Sequence, residues 1–170
     1  YTDILNPQIK KALVSKIKSN NIGEYLTLEI LESEKVSSFD TVNEFINDVK
    51  QFGVKIAIDD FGTGFSNYEN ILNLNIDYIK IDGSLIRKIN EDIYLNLIKS
   101  IVLFSKQQNI KVVAEFVSDL KILRYVKNIE IDYSQGYYIG KPTHIQELFG
   151  EEDETTTKKD NWFNNKWYFK

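Results

Sequence analysis

The chain has 170 residues, with 42% hydrophobic, 13% aromatic and 27% charged residues, the make-up of one ordinary globular domain with a real core. A net charge of −4 argues against a general binder of DNA or RNA polymers or of anionic membrane surfaces. No cysteine is present and His144 is the lone histidine, which excludes a disulfide scaffold, a thiolate metal site and a cysteine nucleophile.

Asn6-Pro7 reads as a helix start, with Asn as cap and Pro in the first turn. Ile9, Leu13 and Ile17 keep helical spacing as far as Asn20–Gly23. Tyr25–Leu31 alternates like a strand. Asp40 is placed to cap a second helix with Val42, Phe45, Ile46 and Val49 on its apolar face, closed by Gly53. Val54–Ile58 reads as a buried strand, followed by an Asp59-Asp60 loop and a short helix at Tyr68–Leu72. Ile79 and Ile81 flank Lys80 in another strand. A long helix over 90–108 carries Ile93, Leu97, Ile98, Ile101 and Phe104. Lys111–Ala114 reads as a strand, Leu120–Val126 as a helix and Glu130–Tyr133 as a short strand. Thr143 with Gln146 forms a capping-box signal for a last helix.

Strand and helix thus alternate, with about five strands in all, which means βαβ units and a parallel sheet. An open doubly wound sheet and a (β/α) barrel both fit this spacing. Residues 1–149 read as one domain. Residues 150–170 read as an acidic-to-basic linker, followed by a cluster of Trp162, Phe163, Trp167, Tyr168 and Phe169 that is expected to dock on the domain or on a partner. No apolar run is long enough to cross a membrane, and no signal-peptide pattern stands at Tyr1. With Tyr rather than Met first, the chain is expected to be an excised or processed piece.

In parallel α/β sheets the site lies beyond the C-terminal ends of the strands. The polar residues of this chain fall there in series: Glu29, then Asp59 and Asp60, then Lys80, then Glu115, then Gln135. Oxygen ligands without sulfur or imidazole suit Mg²⁺ or Mn²⁺. Adjacent aspartates can bridge two such ions about 3.5–4 Å apart, and a nearby lysine can orient or deprotonate water. Each residue alone also has a plain structural reading. Asp59-Asp60 fits a turn with helix-capping carboxylates, Glu29 and Lys80 a buried ion pair, Glu115 a helix cap, and Gln135-Gly136 a turn. Only their joint order favours a site.

That order resembles the EAL family of bacterial cyclic di-GMP phosphodiesterases. Leu28-Glu29-Ile30-Leu31-Glu32-Ser33 is similar to the family's LEITES, and Ile58–Ser66 to IDDFGTGYS, with Phe65 for Tyr. Ile76–Asp82 is similar to PIDxLKID, Val112–Val117 to VVAEGVE, and Gln135–Pro142 to QGYxxxKP. The resemblance implies a modified (β/α)₈ barrel of the TIM type and hydrolysis of cyclic di-GMP to linear pGpG with two Mg²⁺ or Mn²⁺ ions. It implies metal ligation by Glu29, Asp59 and Asp60, a catalytic-water contact for Lys80, support of the metal–water cluster by Glu115 and a substrate-side place for Gln135. Glu32, Phe61, Gly62, Thr63 and Gly64 would couple the site to a homodimer. It further implies a bacterial cytoplasmic setting, with an upstream GGDEF or sensory domain and a membrane-anchored parent as options.

Three departures qualify this. The Glu-Ala-Leu strand has no counterpart here, nor has the Asn-bearing strand after it, so the barrel is expected to be incomplete and the chain to be inactive alone. Phe116 stands for the family's glycine, and Ser118 for the second Glu of AEGVE, with Asp119 as a displaced stand-in. A catalytically degenerate receptor or scaffold is the alternative reading.

Overall fold

A computed structural model of the protein describes residues 6–31, 39–62 and 68–143. Helix α1 (Pro7–Asn20) begins as its sequence predicts: Asn6 Oδ1 accepts from Gln8 N at 2.9 Å and Ile9 N at 3.4 Å, with Pro7 at the first helical position. Of its apolar stripe only Ile17 is buried, and Ile9 is exposed. After a 3₁₀ turn at Gly23–Tyr25 come β1 (Thr27–Leu31), α2 (Phe39–Lys50), β2 (Lys55–Phe61), α3 (Tyr68–Leu72), β3 (Tyr78–Ile81) and α4 (Gly83–Ile86). Then follow α5 (Asp92–Gln107), β4 (Lys111–Ala114), α6 (Leu120–Asn128) and β5 (Tyr133–Ser134).

The five strands are all parallel and lie in the order β1-β2-β3-β4-β5. A doubly wound sheet reverses its strand order at a switch point, whereas a barrel adds each strand beside the last. The unbroken order therefore decides for an arc of a barrel, with the sheet open at β1 and β5 among the described residues.

Alternation gives the arc two faces of different chemistry. Ile30, Ile56, Ile58, Ile79, Ile81, Val112 and Ala114 point to the helices and join Val42, Ile46, Ile98, Ile101, Val126 and others in one buried core. The opposite face carries Glu29, Asp59, Lys80 and, just past the strand ends, Glu115 and Gln135. The outer face is thus apolar, while the inner one sets its polar groups among buried Ala57 and Val113.

Several boundaries differ from expectation. Asp40 lies inside the first turn of α2 rather than at its cap, where a carboxylate still favours the helix N-terminus. Tyr25 belongs to the 3₁₀ turn, so β1 starts only at Thr27. Glu130 turns the chain at φ +59°, so β5 begins at Tyr133. Helix α4 has no apolar period to announce it; it is started by Asp82, whose carboxylate accepts from Ser84 N at 2.7 Å. On α5 the buried stripe is Ile98, Ile101, Val102 and Ser105, while Ile93 and Leu97 face solvent. A helix rich in apolar residues offers more than one stripe, and packing selects among them.

Two similar clamps brace the lower end of the sheet, the first of them reinforced by Lys50 Nζ at 2.8 Å from Asp77. Asp77, just before β3, accepts from Ile56 N at 2.9 Å and lies 3.5 Å from Lys55 Nζ. Asp132, just before β5, accepts from Val112 N at 3.0 Å and from Lys111 Nζ at 2.7 Å. The repeated Ile-Asp-Tyr at 76–78 and 131–133 is their sequence trace.

Candidate metal centre

Strand β2 does not end before its aspartates, as the sequence alone suggests, but continues through Asp59 and Asp60 to Phe61. Ile58 pairs with Ile79 and Phe61 with Ile81, so two residues of β2 stand opposite one residue of β3, Lys80. This is a β-bulge. Asp60 takes the left-handed conformation (φ +56°) that the extra residue requires, one that Asp tolerates better than most side chains. In a regular strand adjacent side chains point to opposite faces. Here the bulge brings both carboxylates to the same place: ligand oxygens of Asp59, Asp60 and Glu115 all lie within 4.8 Å of one another. The apolar spacing Ile56, Ile58, Phe61 contains the signal, a step of three after a step of two.

Lys80 is the hub. Its Nζ lies 2.6 Å from Asp59 Oδ1, 2.8 Å from Glu29 Oε1 and 3.1 Å from Glu115 Oε1. Lys80, Asp59 and Glu115 are buried, whereas Glu29 opens to solvent. Burial alone pushes the Lys80 ammonium down. The hydrogen bonds to Asp59 and Glu29, with the charge of Glu115, outweigh it and hold the group above the ordinary lysine range. The ion-pair reading of Glu29 and Lys80 is therefore realised, within a larger cluster. Glu29 joins through Lys80 and is not part of the three-carboxylate group. Among the described residues the carboxylates of Glu29, Asp59, Asp60 and Glu115 thus gather at one ammonium. An all-oxygen donor set of this kind fits a hard divalent cation.

Gln135 continues the series beyond β5. Its N–H donates to Ala114 O at 2.8 Å and its carbonyl accepts from Val117 N at 2.9 Å, which fixes its backbone on the end of β4. Its side-chain oxygen is buried and has no hydrogen-bond partner among the described residues. Phe61 is buried at the end of β2, with its ring centroid 5.7 Å from that of Tyr68. Gly62 follows at φ +97°, pressed against Leu85. Glu32, Thr63 and Gly64 lie outside the described residues, as do His144, the expected last helix and the 150–170 segment.

Asp119 does not stand in for the missing glutamate. Its Oδ1 accepts from Ile122 N at 2.9 Å and caps α6, and its Oδ2 accepts from Ser118 Oγ at 3.0 Å. Glu115 for its part contacts Lys80 instead of capping that helix. Phe116 adopts φ +52°, a conformation that suits glycine.

The EAL domain family matches residues 2–142. The chain belongs to the EAL family. It is 42% identical over 130 residues to the cyclic di-GMP phosphodiesterase PdeA of Borreliella burgdorferi, covering 76% of this chain and 19% of that protein. It is 36% identical over 127 residues to the cyclic di-GMP phosphodiesterase PdeF of Escherichia coli, covering 74% of this chain and 17% of that protein. Among solved structures, an EAL domain protein from Listeria monocytogenes aligns with a TM-score of 0.78 at 27% identity, over 87% of this chain and 60% of that one. The EAL domain of Mycobacterium smegmatis DcpA aligns with a TM-score of 0.79 at 24% identity, over 85% of this chain and 66% of that one. The EAL chain thus spans about a fifth of the length of these curated relatives. No helix among its described residues is long and apolar enough to cross a membrane.

Proposed function

We propose that this EAL chain supplies the later-strand half of a metal-dependent phosphodiesterase centre that hydrolyses cyclic di-GMP to linear pGpG. The observation that carries the reading is the bulge that gathers Asp59 and Asp60 beside Glu115 and against Lys80. Asp59, Asp60 and Glu29 would hold Mg²⁺ or Mn²⁺, with Glu115 completing the acidic group. Bound there, two such ions would neutralise phosphate charge and raise the acidity of water.

The protein's own residues set up the rest. Lys80 carries its proton firmly and points its three donors at Glu29, Asp59 and Glu115, so it would reach a water or a phosphate oxygen by exchanging one of them, the solvent-open Glu29. Glu115 is buried and fixes one side of that ammonium. Gln135, with its side-chain oxygen buried and unpartnered among the described residues, would offer its amide to substrate from the neighbouring strand end. A homodimer and an upstream sensory domain fit the same reading. The family's Glu-Ala-Leu and Asn-bearing strands have no counterpart in these residues, so the chain by itself would turn over feebly.

Hydrolysis of cyclic di-GMP with Mn²⁺ tests this on the chain and on a longer protein that includes it. Turnover by the longer protein that is lost on Asp59→Asn is the expected result. Full turnover in the Asp59→Asn variant would overturn it.

A second reading, a receptor or scaffold that binds without hydrolysis, is favoured by one observation. Asp119 is committed to capping α6, so nothing among the described residues replaces the glutamate lost at Ser118. Binding of cyclic di-GMP by the longer protein without Mn²⁺-dependent turnover would decide for it.

A further inference from the structure

Phe116 combines three features that packing alone does not account for. It holds a left-handed backbone, which is disfavoured for a bulky side chain. Phe116 is 52% exposed although it follows Glu115, which is 1% exposed. The ring also lies so close over Gly83 that a Cβ there would meet Phe116 Cδ2 at 2.3 Å. Gly83 comes three residues after Lys80, so the ring sits on the rim between the strand ends that carry Lys80 and Glu115. One helical turn on, the Arg87 guanidinium is centred 5.1 Å from the ring centroid. The Arg87 N–H donates to Gly83 O at 2.9 Å, which ties the arginine to the same corner.

We propose that Phe116 and Arg87 form a base-recognition subsite on the rim of the metal centre, holding one purine of a cyclic dinucleotide by stacking and reading its edge. The proposal rests on the phosphodiesterase reading above. An exposed aromatic face stacks any base, and such contacts are worth about 1–3 kcal/mol per base. A guanidinium donates two hydrogen bonds to the O6 and N7 acceptors of guanine, whereas adenine presents a donor in place of O6. The left-handed backbone turns the side chain out to the rim instead of into the core. With glycine at this position the rim would have neither ring nor platform.

Titration calorimetry of the whole chain in Mg²⁺ buffer tests this with cyclic di-GMP, cyclic di-AMP and base-free ribose 5-phosphate as probes. Phe116→Gly, which removes the ring and relaxes the backbone, is expected to stay folded by circular dichroism. It should weaken cyclic di-GMP binding about tenfold or more while leaving ribose 5-phosphate unaffected. Phe116→Trp should retain cyclic di-GMP affinity, and Arg87→Ala should narrow the preference for cyclic di-GMP over cyclic di-AMP. Unchanged cyclic di-GMP binding by Phe116→Gly, or an equal loss for ribose 5-phosphate, overturns the base subsite and leaves the phosphodiesterase reading standing. Failure of the unaltered chain and of the longer protein to bind cyclic di-GMP overturns both.

Discussion

Asp60 stands opposite Lys80 beside Asp59, because the bulge in β2 sets both aspartates against a single residue of β3. The second carboxylate of the pair is thus placed by a backbone irregularity, and its left-handed φ of +56° is the cost of that placement. Asp60→Gly relieves the backbone and deletes the carboxylate. The expected outcome is unchanged or slightly higher thermal stability, with Mn²⁺ affinity reduced about tenfold or more. Calorimetric Mn²⁺ titration beside a melting curve checks both halves.

Lys80 contacts Glu29, Asp59 and Glu115 at once. Lys80→Met leaves the buried carboxylates without it, and loss of one partner of a buried ion pair costs about 3–5 kcal/mol. A divalent cation should replace the missing charge. Mn²⁺ at about 100 times its Kd contributes about 2.7 kcal/mol to any protein that binds it only when folded. Denaturant unfolding with and without Mn²⁺ should therefore show a larger metal-induced gain in Lys80→Met than in the parent, and equal gains would contradict the cluster's role.

The lower clamps carry a pH signature. The hydrogen bond to Asp132, reinforced by its charge, raises the Lys111 ammonium above the ordinary lysine value. A cation raised in the folded state adds stability that is fully present below the ordinary lysine value. That stability is lost as pH climbs through the raised one. Asp132→Asn keeps the shape and removes the charge. Below about pH 10 the difference between the two should stay constant, and from there upward the stability of Asp132→Asn should fall less steeply than that of the parent, as read from urea midpoints.

Gly136 follows Gln135 at φ +154°, and a Cβ there would meet Val117 N at 2.3 Å and Val117 O at 2.4 Å. Gly136→Ala should push the β5 exit loop off the β4 exit. A loss of about 1–3 kcal/mol in denaturant unfolding is expected. Gln135 should move with the loop, so cyclic di-GMP binding should weaken as well.

Much of this was legible in the chain. Apolar patterning marked four of the five strands, whereas the run at Glu130–Tyr133 meets β5 only at Tyr133, and the polar residues at the strand ends name the cluster. Spacing could not choose between a barrel and a doubly wound sheet, because that choice lies in strand order, a long-range property. The bulge was hidden because a motif read as loop suppressed the apolar step from Ile58 to Phe61. On α5, Ile93 and Leu97 fit a helical period as well as Val102 and Ser105 do, and only docking on the sheet separates them. The Asp119 cap shows the same limit at one residue: a carboxylate near a site looks like a ligand until its nearest N–H is known.

The paired clamps under the sheet also act as rulers. Asp59 stands four residues above Lys55, and Glu115 four residues above Lys111, so each carboxylate is held about 13 Å from a fixed foot. The feet are locked to backbone N–H groups by Asp77 and Asp132. A slip of either strand by two residues would keep its apolar face but lift its carboxylate about 7 Å out of reach of Lys80. The distance between the two rulers' tips is thereby set from the far end of the sheet.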